Sequence, residues 1–259
     1  MNTKNKILSI SGVVLIISII GAYLVFSDST ICKALEVEII GDDIEHIIDE
    51  EDIKTIVFKE YKDLLGSTFD SVDLSSLERK IESHPSVKNA EVFKKINGVL
   101  AVKLEQKIPI VRIMPVMGNN FYIDKEGALL PVSKMGSARV PVVNGNVQYI
   151  YKGKSISINN DTTITETLKD IYAIGKKISE DKFLSAQIEQ IYVKSNGEYE
   201  LIPKVGNHIV LLGDIYNYEK KLDYLKHFYI NTLKKEGWRT YNYINLKYKN
   251  QIVCTKNKE

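Results

Sequence analysis

The stretch DLSSLERKIESHPSVKNAEVFKKINGVLAVKLEQ, residues 73–106, decides how the first half of the chain folds. Leu74, Leu77 and Ile81 recur at helical spacing behind Asp73, a good N-cap, while Ser75 with Glu78 offers an alternative capping box. His84-Pro85 stops that helix, because the residue before proline is pushed out of the helical region. Strand patterns follow at Val87 to Lys95 and Val99 to Gln106, with Asn97-Gly98 as the tight turn between them. Upstream, Leu35, Val37 and Ile39 alternate with Glu36 and Glu38, a half-buried strand that Gly41-Asp42-Asp43 breaks. Asp49-Glu50-Glu51 then opens a helix with Ile53, Ile56 and Val57 on one face, and Gly66 breaks the chain before the second helix. Residues 33–108 therefore read as β-α-α-β-β.

Residues 109–259 read as a second, mixed β domain. Phe121 to Pro131 is a hairpin turning at Asp124 to Gly127, and Val140 to Gly145 is an edge-type strand because it contains Pro141. A helix is expected over Thr162 to Ile178, with Ile164, Leu168, Ile171 and Ile178 inward. Gln187 to Val193, Glu198 to Pro203 and His208 to Gly213 form an antiparallel meander turning at Asn196-Gly197. A long helix, Tyr218 to Glu236, turns Leu222, Leu225, Tyr229 and Leu233 inward; Gly237 suits a left-handed cap, over which Trp238 closes. Thr240 to Thr255 is strand-forming, with Ile244, Leu246 and Tyr248 on one face, Tyr243, Asn245 and Lys247 on the other, and a turn at Lys249-Asn250-Gln251.

At the N-terminus, Ile7 to Phe26 carries no charge and has the length of roughly 20 residues that a membrane-spanning helix needs. Thirteen of its side chains are Ile, Leu, Val or Phe, each favouring insertion by about 0.3 to 0.6 kcal/mol. Lys4 and Lys6 precede the span and Asp28 follows it, so residues 1–6 stay cytoplasmic and everything beyond is exported. The apolar run is longer than a signal-peptide core and lacks a small-x-small cleavage site. Ile31 before Cys32 argues against lipid attachment, and Cys32 and Cys254 form no CxxC pair, although an oxidising compartment would permit a disulfide between them.

Composition is that of an ordinary globular protein, 44% apolar and 26% charged. Thirty-five basic and thirty-three acidic residues leave a net charge of +2, too little for a nucleic-acid face. His46, His84, His208 and His227 are scattered, and no HExxH, GxSxG, GxxxxGK[ST] or GxGxxG motif occurs. Asp42-Asp43 and Glu50-Glu51 sit in turn and cap contexts. No cofactor, metal, small-molecule substrate or catalytic residue is indicated, and the chain reads as a binding protein.

The residues Val72-Asp73-Leu74, Leu77, His84-Pro85-Ser86-Val87, Ala90, Val92, the run 100–106 and Pro109 together resemble the POTRA domain of FtsQ/DivIB cell-division proteins. Leu201-Ile-Pro203, Leu212-Gly213, Lys220-Lys221-Leu222 and Gly237-Trp238 resemble the β domain that follows it in that family. The resemblance implies an α+β chain: a transmembrane helix (7–26), a POTRA domain (33–108), and a β domain (109–259) with an open antiparallel sheet and packed helices. It further implies a bitopic scaffold in the cell inner (plasma) membrane at the division septum. Such a scaffold links cytoplasmic and septal wall-synthesis components. It binds FtsB-like and FtsL-like bitopic partners by strand addition at the C-terminal strands. On that border lie Tyr243, Leu246, Lys247, Tyr248, Asn250, Ile252 and Cys254. Tyr248 is the expected aromatic anchor, or else a filler of the domain core, and Lys247 is the cation for an acidic partner residue. Two other classes remain open: a POTRA-bearing component of an envelope assembly or transport machine, and an exported enzyme with an unconventional site.

Overall fold

A computed structural model describes residues 16, 18, 31–41, 47–133, 137–154 and 156–257. The anchor expected over 7–26 lies outside them except for Ile16 and Ser18, as do the tail 1–6, Asp42, Asp43 and His46. No helix among the described residues is long and apolar enough to cross a membrane.

The described residues divide into two compact units, the first formed by those up to Ile40 with Asp49–Ser83 and Asn89–Glu105. It follows the expected β-α-α-β-β order: β1 (Ala34–Ile40), α1 (Glu50–Glu60), a short 3-10 turn (Phe69–Ser71), α2 (Leu74–Glu82), β2 (Val87–Lys94) and β3 (Val99–Gln106). The sheet order is β1-β3-β2, and β1 runs parallel to β3 with Val37 opposite Val102. Asp49 caps α1 by accepting from Glu51 N–H, and Asp73 caps α2 by accepting from Ser76 N–H at 3.0 Å. Glu78 is therefore free for another role: it accepts from Val92 N–H at 2.9 Å, and Glu82 accepts from Ala90 N–H at 3.3 Å. Two helix carboxylates thus satisfy donors along the outer edge of β2, where a strand would otherwise present a template for pairing. Cys32 is buried, its backbone tied to Gly66 and Ser67; both it and Cys254 are free thiols.

The second unit comprises Gly41–Ile48, His84–Lys88 and everything from Gln106 onward. Its strands are β4 (Pro109–Ile113), β5 (Phe121–Asp124), β6 (Leu129–Pro131), β7 (Val142–Gly145), β8 (Ile188–Val193), β9 (Tyr199–Pro203), β10 (Ile209–Gly213), β11 (Tyr241–Asn245) and β12 (Val253–Lys256). They form one sheet in the order β12-β11-β10-β9-β8-β7-β4-β5-β6. The expectation of an antiparallel sheet is corrected here, since β4 with β7, β7 with β8 and β10 with β11 are parallel pairs. Parallel neighbours need a long crossover. Helices α3 (Glu166–Ser179) and α4 (Lys182–Gln187) supply one between β7 and β8. Helix α5 (Tyr218–Phe228), a π-helical turn (Tyr229–Leu233) and α6 (Lys234–Glu236) supply another between β10 and β11.

A second correction concerns β7, which lies between β4 and β8 and not at an edge. Pro141 precedes the strand proper, and its carbonyl accepts from Arg112 N–H at 3.0 Å, so its missing N–H removes no ladder bond. The first long helix also starts later than Thr162. Asp161 accepts from Thr163 N–H at 2.7 Å in a local turn, and Thr165 caps the helix by accepting from Leu168 N–H. α4 was not evident in the sequence pattern; Asp181 caps it through Phe183 N–H and Leu184 N–H.

Leu168, Ile171, Ile174 and Ile178 of α3 join Leu222, Leu225, Tyr229 and Leu233 in one core with the strands. Apolar side chains of this kind each stabilise a fold by about 1.5 to 3 kcal/mol when fully buried. The β6 end of the sheet is covered: Leu129 N–H donates to Ile156 O and Ile158 N–H to Gly127 O, both at 2.8 Å. At the opposite end stands β12, with no described residue paired to its outer side.

Gly145 has a φ of 93°, and a Cβ there would lie 2.2 Å from the Val193 carbonyl oxygen of β8. Gly197 also has a positive φ, 81°, but nothing within 4 Å. Gly145→Ala is therefore expected to destabilise the protein by about 1–3 kcal/mol more than Gly197→Ala. Equal losses in urea melts of the two variants would mean that strain in φ, not the β7–β8 approach, governs both.

Candidate partner-binding edge

The last hairpin is positioned from behind. β11 pairs in parallel with β10, Val210 opposite Ile244, and Leu246 N–H extends the ladder to Leu211 O at 3.0 Å. Ile244 and Leu246 are buried in the core. β12 then runs antiparallel to β11, with Cys254 opposite Ile244 and Val253 opposite Asn245. The helix end holds this pair in place. Glu236 accepts from the Tyr241 hydroxyl at 2.5 Å, and Asn257 N–H donates to Thr240 O at 3.0 Å. The Glu236 hydrogen bond pushes the Tyr241 phenol up to about 12. Burial, with Glu236 adding to it, raises the Cys254 thiol, so it stays protonated and unreactive near neutral pH.

The expected site residues separate into three environments. Leu246 belongs to the core, with Ile252 and Cys254 half-buried against it, so these three support the border and offer little surface. Tyr243 is exposed on β11. Lys247, Tyr248 and Asn250 lie in the turn between the strands, where Asn250 takes a φ of 60°. Because β11 ends at Asn245, Tyr248 leaves the face of Ile244 and Leu246; it is 52% exposed, which removes the core-filling role. Lys247 is engaged within the molecule, its ammonium paired with the Glu198 carboxylate of the β8–β9 turn, which holds that carboxylate below its usual range. An acidic partner residue would have to compete with Glu198.

Sequence reasoning missed two neighbours of Tyr248. Tyr216 and Tyr224 line the same cavity, which has a volume of 280 Å³ and includes Lys220 and Lys249. Tyr216 is 72% exposed. The available signal was the position of Tyr224 on α5, off the face set by Leu222 and Leu225. Aromatic side chains bury large area at small entropic loss, and three exposed tyrosines beside an open strand suit protein recognition.

Following α5, the helix widens into its π turn at Tyr229. The Tyr229 hydroxyl lies 2.8 Å from His208 Nε2, and Trp238 stacks on the Tyr229 ring at 5.6 Å. His208 is thus a buried structural residue. Gly237, beside it, has a positive φ of 99° but a ψ of 146°, outside the left-handed helical well; its N–H still closes the helix onto Leu233 O. Burial pushes the His208 imidazole below its ordinary value, against the opposing pull of the Trp238 carbonyl. No group of three or more His, Cys, Asp or Glu side chains able to hold a metal occurs among the described residues.

Comparison with known proteins places these features in a lineage. Residues 108–255 match the family described as FtsQ/DivIB, C-terminal related, and residues 30–105 match a POTRA-like domain. The Cell division protein FtsQ of Rhodothermus marinus is 26% identical over 195 residues, covering 73% of this chain and 67% of that protein.

The depressed His208 pKa has a determinate consequence for stability. As pH falls below about 6.5, the unfolded chain takes up a proton that the folded chain resists, so this residue's stabilisation, present above that value, is lost. His208→Gln is expected to cost about 1–3 kcal/mol near neutral pH. The gap in thermal midpoint between the two proteins should narrow from about pH 7.5 to about pH 5. A gap that widens on acidification would contradict a neutral, buried imidazole.

Proposed function

Since the chain belongs to the FtsQ/DivIB family of cell-division proteins, we propose that it is a non-catalytic, single-pass scaffold of the division complex. Residues 7–26 anchor it in the plasma membrane at the septum, and the two folded units, a POTRA domain over 33–108 and a β domain over 109–259, face outward. In this reading an FtsB-like partner, itself joined to an FtsL-like one, adds a strand alongside β12.

One observation carries the reading: β12 ends a nine-stranded sheet whose other border is covered, so addition has a single available direction. The inward bond from Asn257 N–H to Thr240 O sets the alternation along β12. It turns the N–H and C=O groups of Cys254 and Lys256 outward, where a partner strand would meet them. Tyr248, Tyr243 and the tyrosine-lined cavity beside the turn supply side-chain recognition, and Asn250 sets the turn that presents them.

Two substitutions test the reading separately. Lys256→Pro removes an outward N–H that the domain does not use, a placement that edge strands tolerate. Tyr248→Asp places a charge on an exposed anchor and should alter stability by less than about 0.5 kcal/mol. Each is expected to weaken co-purification of the partner from membranes at least roughly tenfold while leaving the thermal melt nearly unchanged. Undiminished recovery of the partner with both variants would reject β12 as the docking border.

A further inference from the structure

Arg112 stands on β4 opposite Tyr122 of β5 and beside Val142 of β7, far along the sheet order from β12. Its guanidinium is fixed in place. It lies 5.9 Å from the centroid of the Tyr122 ring, and Nη1 donates to Ser137 Oγ at 2.5 Å. Ser137 Oγ is in turn 3.2 Å from the Tyr122 hydroxyl, which accepts from Ala138 N–H at 3.1 Å. Tyr122 itself is fully buried, so this support is rigid. The Arg112 Nε is buried and has no hydrogen-bond partner among the described residues. A buried donor on a charged group is unfavourable when it lacks an acceptor, and an arginine held this way is a preorganised half of an ion pair.

The guanidinium borders a cavity of 630 Å³, within the range of about 300–1,000 Å³ typical of ligand sites. Asn119 and Asn120 add amide groups, Lys152 adds a second cation, and Pro131 and Tyr151 add apolar wall; no carboxylate lines it among the described residues. Lys152 is exposed and forms no ion pair among the described residues. Ile150 and Met117, both exposed, flank the lining residues in sequence, and Ile150 packs beside Gly118. We infer that this cavity binds a peptide carboxylate: the planar Arg112 fork takes the two oxygens, Lys152 adds charge, and the apolar wall takes a neighbouring side chain. A guanidinium fork with amide donors matches a flat carboxylate. The site does not rely on a helix N-terminus or a nest of backbone N–H groups of the kind that phosphate sites use. The inference is independent of the β12 assignment, because no residue of that border takes part.

Methionine-methyl NMR of the full chain in detergent micelles tests it, because two of the four methionines, Met114 and Met117, sit on β4's exit toward Asn119. The probes are N-acetyl-Ala-Leu with a free carboxylate, its C-terminal amide, and N-acetyl-Glu-Leu amide, which carries only a side-chain carboxylate. Saturable shifts with the first or third probe, and none with the plain amide, are expected; which of the two binds assigns a chain terminus or an acidic side chain as the source. Arg112→Lys, which keeps the charge but loses the fork, should raise the Kd roughly tenfold. Lys152→Glu, on an exposed position that does not threaten folding, should raise it as well. Equal shifts with the plain amide, no shift with either carboxylate, or an unchanged Kd in both variants would overturn the assignment.

Discussion

Two parallel strands cannot be joined by a tight turn, and that constraint shapes the second unit more than any single contact. β10 and β11 are parallel neighbours, so the chain must travel the length of α5, its π turn and α6 before β11 can be laid down. The hairpin that follows then lies at one end of the sheet, with β12 as its border among the described residues. Had β10 and β11 been antiparallel, a short turn would have sufficed, and no helix would have been needed to pack behind the terminal strands. The same logic places α3 and α4 behind β7 and β8 and fills one core with residues from both crossovers.

The return crossover is anchored by an aromatic stack with polar ends. Tyr229 is buried in the π turn, Trp238 lies against it, and His208 from the start of β10 meets its hydroxyl. A π turn widens the helix at one point, often at a position with a specific job. Here the widened turn carries the tyrosine that joins the helix to β10 and to the segment leading into β11. Glu236, one turn further on, reaches Tyr241 at the start of β11. The position of the open border is thereby set by residues that lie outside β12 itself.

Much of this was legible in the residues. Asp73 with Leu74, Leu77 and Ile81 marked α2, and the spacing after His84-Pro85 marked β2 and β3, because local patterns dictate capping and face. What local patterns do not encode is which strands become neighbours. Pro141 suggested an edge, yet the proline falls one residue before β7, and the strand ended up central. Parallel pairing was invisible for the same reason: period-two alternation is identical in both ladder types. At the candidate site, the exposure of Tyr248 depended on where β11 stops, and the engagement of Lys247 depended on a turn nearly fifty positions earlier. Tyr216 carried no marker that set it apart from other tyrosines, and Tyr224 only its place on α5 off the face of Leu222 and Leu225. Arg112 gave no signal at all, since its partners Tyr122 and Ser137 come from separate segments.

The chain segment 156–158 that runs beside β6 has a consequence for assembly size. A fibre grows by strand exchange only when each subunit offers two complementary free flanks, one to receive and one to donate. With one flank of the nine-stranded sheet occupied from within, that sheet has a single unpaired border, β12, among the described residues. Crowding many copies together would therefore pair these sheets at most border to border, without knitting them into an endless ribbon.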